Sequence, residues 1–397
     1  MPEKSRIDIS RCSLCGTCKA PCPTYEEMPS EGMSARGRLK LIRGIEDGAL
    51  RPSPLFNDRI YSCILCGACS KICPLGIDIP DAIYRTRSKI RGRDRRRWLL
   101  RLLLRFGIKR PELGFRLISL GRDFVLPFLV KRRVIPFLPE IPEAPFRTIG
   151  QVHKVQSRKG RVAIFTGCSV NYMQPHIGES MVNVLQHAGY EVVVPKDEVC
   201  CGAPLRALGM EKEAIELARE NHRIFSRLKV EAVISACPTC TLTIRHEYGS
   251  LIGKSIEKAM DISVFLHDKL ARTEPIGKSV TYHDPCHLLH GLGIRNEPRD
   301  IIGRAGLSLE EPSQQGCCGF GGSFSLYNRS MSEGMLARQA GNLCSTGADA
   351  IVTSCPGCMM QLSRAVTDRP VIHLIELIEE AYCLKTLYQE QLLAARH

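Results

Sequence analysis

Hydrophobic and polar positions set three rhythms along the chain. In the first, Arg36 to Ile45 (RGRLKLIRGI) spaces apolar residues at helical intervals with charged residues between them, which predicts a helix. In the second, Leu99, Leu102, Leu103 and Phe106 recur at helical spacing with Arg97, Arg101 and Arg105 on an adjoining stripe, a basic amphipathic pattern. From residue 160 short apolar runs alternate with helical patterns, which predicts α/β units with parallel strands. RVAIFTGC reads as a strand ending at Cys168, followed by a helix over Asn171 to His187. YEVVVP is the next strand, then a loop with Cys200, Cys201 and Gly202. A helix from about Gly209 to Leu228 leads to EAVISACPTC, a strand ending at Cys237 and Cys240.

That order then recurs. SVTYHDPC runs into Cys286, Cys317 and Cys318 precede Gly319 in a glycine-rich loop, and ADAIVTSCPGC ends at Cys355 and Cys358. Each of the five cysteines lies 117 or 118 residues after its counterpart, which implies an internal repeat. In each copy the cysteines come from three loops at the ends of predicted strands, the edge where open α/β sheets place ligands. Pro238 and Pro356 suit the first turn of a helix, whose N-terminal dipole favours thiolate at the preceding cysteine.

The first ninety residues carry a different pattern. Cys12, Cys15, Cys18 and Cys22 follow C-x2-C-x2-C-x3-C with Pro23 next, and Cys63, Cys66, Cys69 and Cys73 repeat it with Pro74 next. Three thiolates on one short loop surround a cubane face, and the cysteine before the proline reaches the other cluster. This assigns Cys12, Cys15, Cys18 and Cys73 to one [4Fe–4S] cluster and Cys63, Cys66, Cys69 and Cys22 to a second. Zinc would call for paired C-x2-4-C arms with four ligands per site, which this spacing does not provide. The forty residues between Cys22 and Cys63 exceed what a compact bacterial ferredoxin needs, and their helical rhythm points to an α-helical ferredoxin domain.

Composition sharpens this picture. At 397 residues, two or three domains are expected, at roughly 100–200 residues each. Met1 to Ser10 (MPEKSRIDIS) has no apolar signal core, so the expected location is cytoplasmic, and the twenty cysteines point to metal or redox chemistry rather than disulfides. The net charge of +14 resides between Arg85 and Arg133, where seventeen basic residues face three acidic ones. That segment either lies in a membrane interface or against a membrane-anchor subunit, or else packs its leucines inward and leaves its arginines in water. Nucleic acid is excluded as a partner, because no binding motif accompanies the charge. Pro136, Pro139, Pro142 and Pro145 then mark an extended linker. The resulting domains are 1–90, a ferredoxin domain; 91–158, a basic helical segment and linker; and 159–275 and 276–397, the two cysteine-rich copies.

The patterns C-x31-CC-x35-CPTC and C-x30-CC-x36-CPGC resemble the cysteine-rich CCG domain family. That family includes the B and D polypeptides of heterodisulfide reductase, the glycolate oxidase iron–sulfur subunit and the C polypeptide of anaerobic glycerol-3-phosphate dehydrogenase. CPTYEEMPSEGMSARGRLKLI resembles the glycolate oxidase protein, and FTGCSVNYMQPHIG resembles the glycerol-3-phosphate dehydrogenase protein. The resemblance implies an α/β protein with an all-α part: an N-terminal α-helical ferredoxin domain followed by two duplicated Rossmann-like CCG domains. It also implies that Cys168, Cys200, Cys201, Cys237 and Cys240 bind one further [4Fe–4S] cluster, cubane or noncubane, and that Cys286, Cys317, Cys318, Cys355 and Cys358 bind another. The respiratory members tend to lack some of these cysteines, whereas this chain has all ten, as heterodisulfide reductase does.

No G-x-G-x-x-G follows a strand, so no flavin or nicotinamide is expected on this chain. Electrons then come from an FAD-containing dehydrogenase subunit that oxidises a 2-hydroxy acid such as glycolate or lactate, or glycerol-3-phosphate, and pass to a quinone or another carrier. The alternative is a heterodisulfide reductase-like catalytic subunit. A thioredoxin-like dithiol at C-P-x-C is the lesser reading, given the paired Cys-Cys loops. His283, His287 and His290 flank Cys286 and are read as structural, with proton donation as the alternative. Cys344 and Cys383 fall outside every motif and are read as ordinary buried residues.

Overall fold

Apolar, β-branched runs from residue 152 onward build two sheets. The computed structural model describes residues 9–94, 97–132, 141–149 and 152–382. Strands β1 (Val152–His153), β2 (Gly160–Ile164), β3 (Tyr190–Val193), β4 (Ala232–Ser235) and β5 (Ala259–Asp261) form a sheet in the order β1-β3-β2-β4-β5. Only β1 runs antiparallel; Val162 of β2 sits opposite Val192 on one side and Ala232 on the other. Strands β6 (Ser279–His283), β7 (Ser308–Leu309), β8 (Ala350–Thr353) and β9 (Val371–His373) form an all-parallel sheet in the order β7-β6-β8-β9. Strands β4 and β8 are buried throughout, as parallel strands covered on both faces must be.

The two sheets share a core. One apolar cluster contains Val162, Ile164 and Ile234 from the first sheet together with Val280, Tyr282 and Val352 from the second. Glu379, on the helix Leu374–Ala381, accepts hydrogen bonds from Ser180 and Asn183 on the helix Pro175–His187 and ties the halves further. The expected single helix over 171–187 is instead two, Gly167–Tyr172 and Pro175–His187. Pro175 lacks an N–H and disfavours helical geometry at Gln174, so the helix breaks there.

The N-terminal part is helical, with Pro23–Glu27, Ala35–Glu46, Pro54–Tyr61 and Ile79–Ile90 as its α-helices of five or more residues. Ser34, Ser53 and Asp78 cap three of them by accepting N–H bonds from Gly37, Phe56 and Asp81. Gly37 is there for closeness: a Cβ would come within 1.8 Å of the Glu31 carbonyl oxygen.

The basic segment departs from the expectation that it packs Leu99, Leu102 and Leu103 inward and leaves its arginines in water. In the helix Trp98–Lys109, Leu100, Leu104 and Ile108 pack on Leu205, Leu208 and Met210. Leu99, Leu102, Leu103 and Phe106 face solvent, while Arg97 and Arg101 are buried. Arg101 donates to Asp94 (2.6 Å), to the Tyr61 hydroxyl (2.8 Å) and to the Leu208 carbonyl (2.9 Å). Arg97 stacks 4.2 Å over the Tyr61 ring. A delocalised guanidinium with five donors can satisfy a buried, hydrogen-bonded site of this kind. Of the expected linker, 133–140 lie outside the described residues, and Phe146–Ile149 forms a short 3-10 turn.

Candidate metal centres

Each N-terminal cysteine loop bends the same way. Leu14 and Leu65, each just before the second cysteine of its motif, have φ of 59° and 64°, and the glycines just after that cysteine, Gly16 and Gly67, have φ of 87° and 79°. A left-handed leucine costs on the order of 1–3 kcal/mol, a strain held only where the surroundings enforce it. The bend wraps the loop around a hollow. Cys12, Cys15, Cys18 and Cys73 line one cavity, and Cys22, Cys63, Cys66 and Cys69 line another. Buried arginines fix the walls. Arg87 donates to the carbonyls of Ile60 (3.0 Å) and Cys63 (2.5 Å), and Arg38 donates to Thr24 (3.1 Å) and Ser62 (3.1 Å), which flank Cys22 and Cys63.

The other ten cysteines come together as two sets in contact. In the first, Cys200 and Cys168 sulfurs are 3.9 Å apart, and Cys201 lies beside Cys200 and Cys240, which set its ionisation. In the second, Cys318 and Cys358 sulfurs are 3.3 Å apart, and Cys317 lies beside Cys286 and Cys318, which set its ionisation. Cys237 and Cys355 face each other across the boundary, each shifting the other's ionisation. The run of sulfurs is therefore continuous and nearly palindromic: Cys168, Cys200, Cys201, Cys240, Cys237, then Cys355, Cys358, Cys318, Cys317, Cys286.

Three thiols of this run, Cys201, Cys355 and Cys317, are held down, each between two neighbours that are pushed up. Bonds from Cys200 and Cys240 hold Cys201 down at about 6, while bonds to Cys201 and Cys237 push Cys240 up. Bonds from Cys286 and Cys318 lower Cys317, and the bond to Cys317 raises Cys318. The expectation that both C-P-x-C helix starts favour thiolate is half met. Cys355 is lowered by bonds from Cys237 and Cys358; Cys237 gains from Cys240 but loses more to Cys355 and burial, ending at about 11. Ten clustered thiols, five buried and five half-buried and all free of disulfides, cannot all ionise without cations among them. Iron supplies that charge and deprotonates its ligands, so both sulfur sets and both four-cysteine cavities fit iron–sulfur clusters.

The sites adjoin one another. The Cys66 thiol, raised first by burial, is raised further by Cys317, and Cys66 does the same to Cys286. His287 spans the junction: Nε2 donates to the Leu65 carbonyl (3.0 Å) and Nδ1 accepts from Thr239 (2.8 Å). It thus touches the N-terminal loop and the C-P-T-C turn at once, a structural role. His290 packs over Gly67. His283 is buried, its pKa brought down to about 4 by desolvation, with Nδ1 3.1 Å from Gln339. Cys344 is half-buried rather than buried, and Cys383 lies outside the described residues.

Several supporting residues had no signal in the sequence. Glu198 accepts from the N–H groups of Thr166 (3.0 Å) and Gly167 (2.7 Å), shaping the turn before Cys168, and Arg147 donates to the Glu198 carbonyl. Arg206 joins Asp81 (3.1 Å) and Glu247 (2.7 Å) between the helical domain and the first sheet. These contacts span 31 to 125 residues, beyond the reach of any local pattern.

Comparison with known proteins accords with these sites. A family model described as a cysteine-rich domain matches residues 162–245 and again 280–363, and one described as a 4Fe-4S dicluster domain matches 8–77. The chain carries two cysteine-rich CCG domains behind a 4Fe–4S dicluster domain. Among relatives of this CCG protein, the B polypeptide of the CoM/CoB fumarate reductase of Methanothermobacter marburgensis is 28% identical over 94% of this chain and 72% of its own. The probable glycolate oxidase iron–sulfur subunit of Bacillus subtilis is 27% identical over 96% and 97%. The D polypeptide of the dihydromethanophenazine:CoB–CoM heterodisulfide reductase of Methanosarcina barkeri is 26% identical over 96% and 95%. A hypothetical protein from Helicobacter pylori shares the fold, with a TM-score of 0.52 at 11% identity over 89% of this chain and 68% of that one.

Proposed function

We propose that this CCG protein is an iron–sulfur electron-transfer subunit serving an FAD-containing dehydrogenase that oxidises a 2-hydroxy acid or glycerol-3-phosphate. Residues 1–90 form the dicluster domain, with Cys12, Cys15, Cys18 and Cys73 holding one cluster and Cys22, Cys63, Cys66 and Cys69 the other. Residues 159–275 and 276–397 form two Rossmann-like copies, each holding a further cluster on its five cysteines. Clusters bound there would carry single electrons between a partner's flavin and a quinone or another carrier. The observation that carries this reading is the unbroken sequence of cysteine sites, from the Cys66 cavity through Cys286 and Cys317 to Cys355, Cys237 and Cys168. The protein's own part is to hold those sites beside one another with buried arginines and His287.

A second reading, a disulfide reductase, is favoured by the complete ten-cysteine set, more than relay alone needs. Anaerobic purification with iron and sulfide counting, followed by EPR, separates the two. About sixteen irons per chain with signals that appear on adding a 2-hydroxy acid and the flavoprotein supports the relay; signals that appear on thiol addition after oxidation support disulfide chemistry. About eight irons would remove both roles from the cysteine-rich copies.

The same protein is proposed to sit on the cytoplasmic face of the membrane through residues 85–133. Among the described residues no helix is long and apolar enough to cross a bilayer. Leu102, Leu103, Leu117, Leu120, Phe124 and Phe128 are nonetheless exposed, interleaved with exposed Arg105, Arg116 and Arg122. Apolar residues among arginines suit an anionic interface. Co-sedimentation with anionic vesicles should weaken at least severalfold in a Leu102→Ser, Phe106→Ser variant. Unchanged sedimentation would reject the membrane and leave an anchor subunit as the partner for this face.

A further inference from the structure

The two cysteine-rich copies differ at one position beside their sulfurs. Counting back three residues from Cys168 and from Cys286 reaches Phe165 and His283, 118 residues apart like the cysteines themselves. Both side chains are buried at the end of the central strand of their sheet. Phe165 spends its ring on apolar packing, its centroid 5.4 Å from that of Phe225. His283 does something else. A ring nitrogen of His283 and the sulfurs of Cys318 and Cys358 all lie within 4.8 Å of one another.

The ring is held for a purpose that the protein alone does not fulfil. Its backbone is fixed by pairing with Thr353, and the Thr353 hydroxyl donates to its carbonyl at 3.3 Å. Gln339 lies against Nδ1 at 3.1 Å, while Nε2 has no hydrogen-bond partner despite complete burial. A buried polar nitrogen left unpaired is costly, and natural proteins rarely tolerate one without a ligand to meet it. With the Gln339 carboxamide donating to Nδ1, the single proton of the neutral ring belongs on Nε2.

We propose that His283 is a tuning residue of the second cysteine-rich site, donating its Nε2–H to a sulfur of the cluster held there, and that this makes the two sites electronically unequal. The proposal rests on the reading that Cys286, Cys317, Cys318, Cys355 and Cys358 hold an iron–sulfur cluster. A donor to cluster sulfur stabilises the reduced, more negative state, so the second site is the more easily reduced. The first site, with Phe165 in that place, has no such donor. Gln339 is then a positioning residue that sets the tautomer.

The test is an EPR-monitored redox titration of the full-length, anaerobically purified protein, with iron counted in every sample. His283→Phe, which copies the first site, should lower the midpoint of one cysteine-rich signal by about tenfold in its reduction equilibrium, about 59 mV for a one-electron couple, with iron content unchanged. Phe165→His should move the other signal upward, and His283→Gln, which keeps a donor, should stay near wild type. Full iron with an unmoved midpoint overturns the proposal. Loss of about four irons in His283→Phe, with His283→Gln losing them too, also overturns it, since His283 is then a ligand. Wild-type protein can be probed directly by pulsed EPR, where a weak nitrogen coupling of hydrogen-bond size is expected and a strong ligand coupling contradicts it. Wild-type protein with about eight irons removes the cluster reading itself, a failure distinguishable from the others because it precedes any substitution.

Discussion

The two cysteine-rich halves do the same backbone work with side chains of different charge. Before the first cysteine, Glu198 holds the turn of the first half through two N–H bonds. Gln315, 117 residues later, accepts from the Asp284 N–H and donates to the Tyr282 carbonyl in the second. Beside the sulfurs Phe165 answers to His283. At the edge strand, Asp261 caps the helix Ile262–Leu266, while His373 caps Leu374–Ala381. Each substitution leaves the hydrogen-bond geometry usable and changes what the neighbouring sulfurs feel. Geometry sets where the sulfurs gather and the side chains around them set the local charge, so a repeated scaffold surrounds its two cysteine sets differently.

The halves also differ in how they join the helical domain, and this contrast carries the largest expected effect. The first half is tied by Arg206, whose side chain is 4% exposed and bridges Asp81 and Glu247 while stacking 4.0 Å over Tyr84. The second is tied by Arg338, 40% exposed, to Glu26 (2.9 Å) and Glu27. Arg206→Leu leaves Glu247 without its arginine in a largely buried junction, while Arg85 still holds Asp81 (2.6 Å), and should cost about 3 kcal/mol. The matching Arg338→Leu should cost less than about 1 kcal/mol, because water already screens that pair. Denaturation midpoints of the two variants check this. Equal losses would mean that burial does not distinguish the junctions.

Much of the site was legible because the ligand spacing is local. Cys12, Cys15 and Cys18 lie within one turn of loop, so their spacing alone states which face they make, and Pro23 and Pro74 mark the cysteines that cross over. The strand-ending cysteines were legible for the same reason: apolar runs stop where they begin. What could not be read depends on packing across long separations. Nothing near Cys237 says that Cys355 faces it, because that contact comes from the shared core of the two sheets. The basic helix misled for a physical reason. It carries leucines on two faces, and composition cannot tell that Leu100, Leu104 and Ile108 pack inward while Arg101 is drawn in by Asp94. The break at Pro175 was there to be read and shows that a strong apolar rhythm can mask a proline.

The edge-strand pair Asp261 and His373 sharpens the comparison through pH, with a smaller effect. Both are buried, and burial disfavours charge on either, with opposite consequences. Desolvation raises Asp261 from 3.8 to about 7, against the bonds from Ser263 that favour its carboxylate. A raised acid binds its proton more tightly folded than unfolded. The linked stability is therefore fully present below about pH 4 and is lost as pH climbs to about 7, on the order of 4 kcal/mol across the window at most. His373 is lowered by desolvation, so its contribution is present above 6.5 and lost as pH falls below that value. Its Nε2–H donates to the Ala236 carbonyl (2.9 Å) in either charge state, but Nδ1 accepts from Ile375, and that bond requires the neutral ring. Asp261→Asn keeps an oxygen for Ser263 and removes the titration. Its midpoint should rise relative to wild type as pH goes from 5 to 7, and the gap should stay constant above that. A gap that does not change with pH would mean Asp261 ionises as easily folded as unfolded, and the two halves would then differ in sequence at this edge without differing in their response to protons.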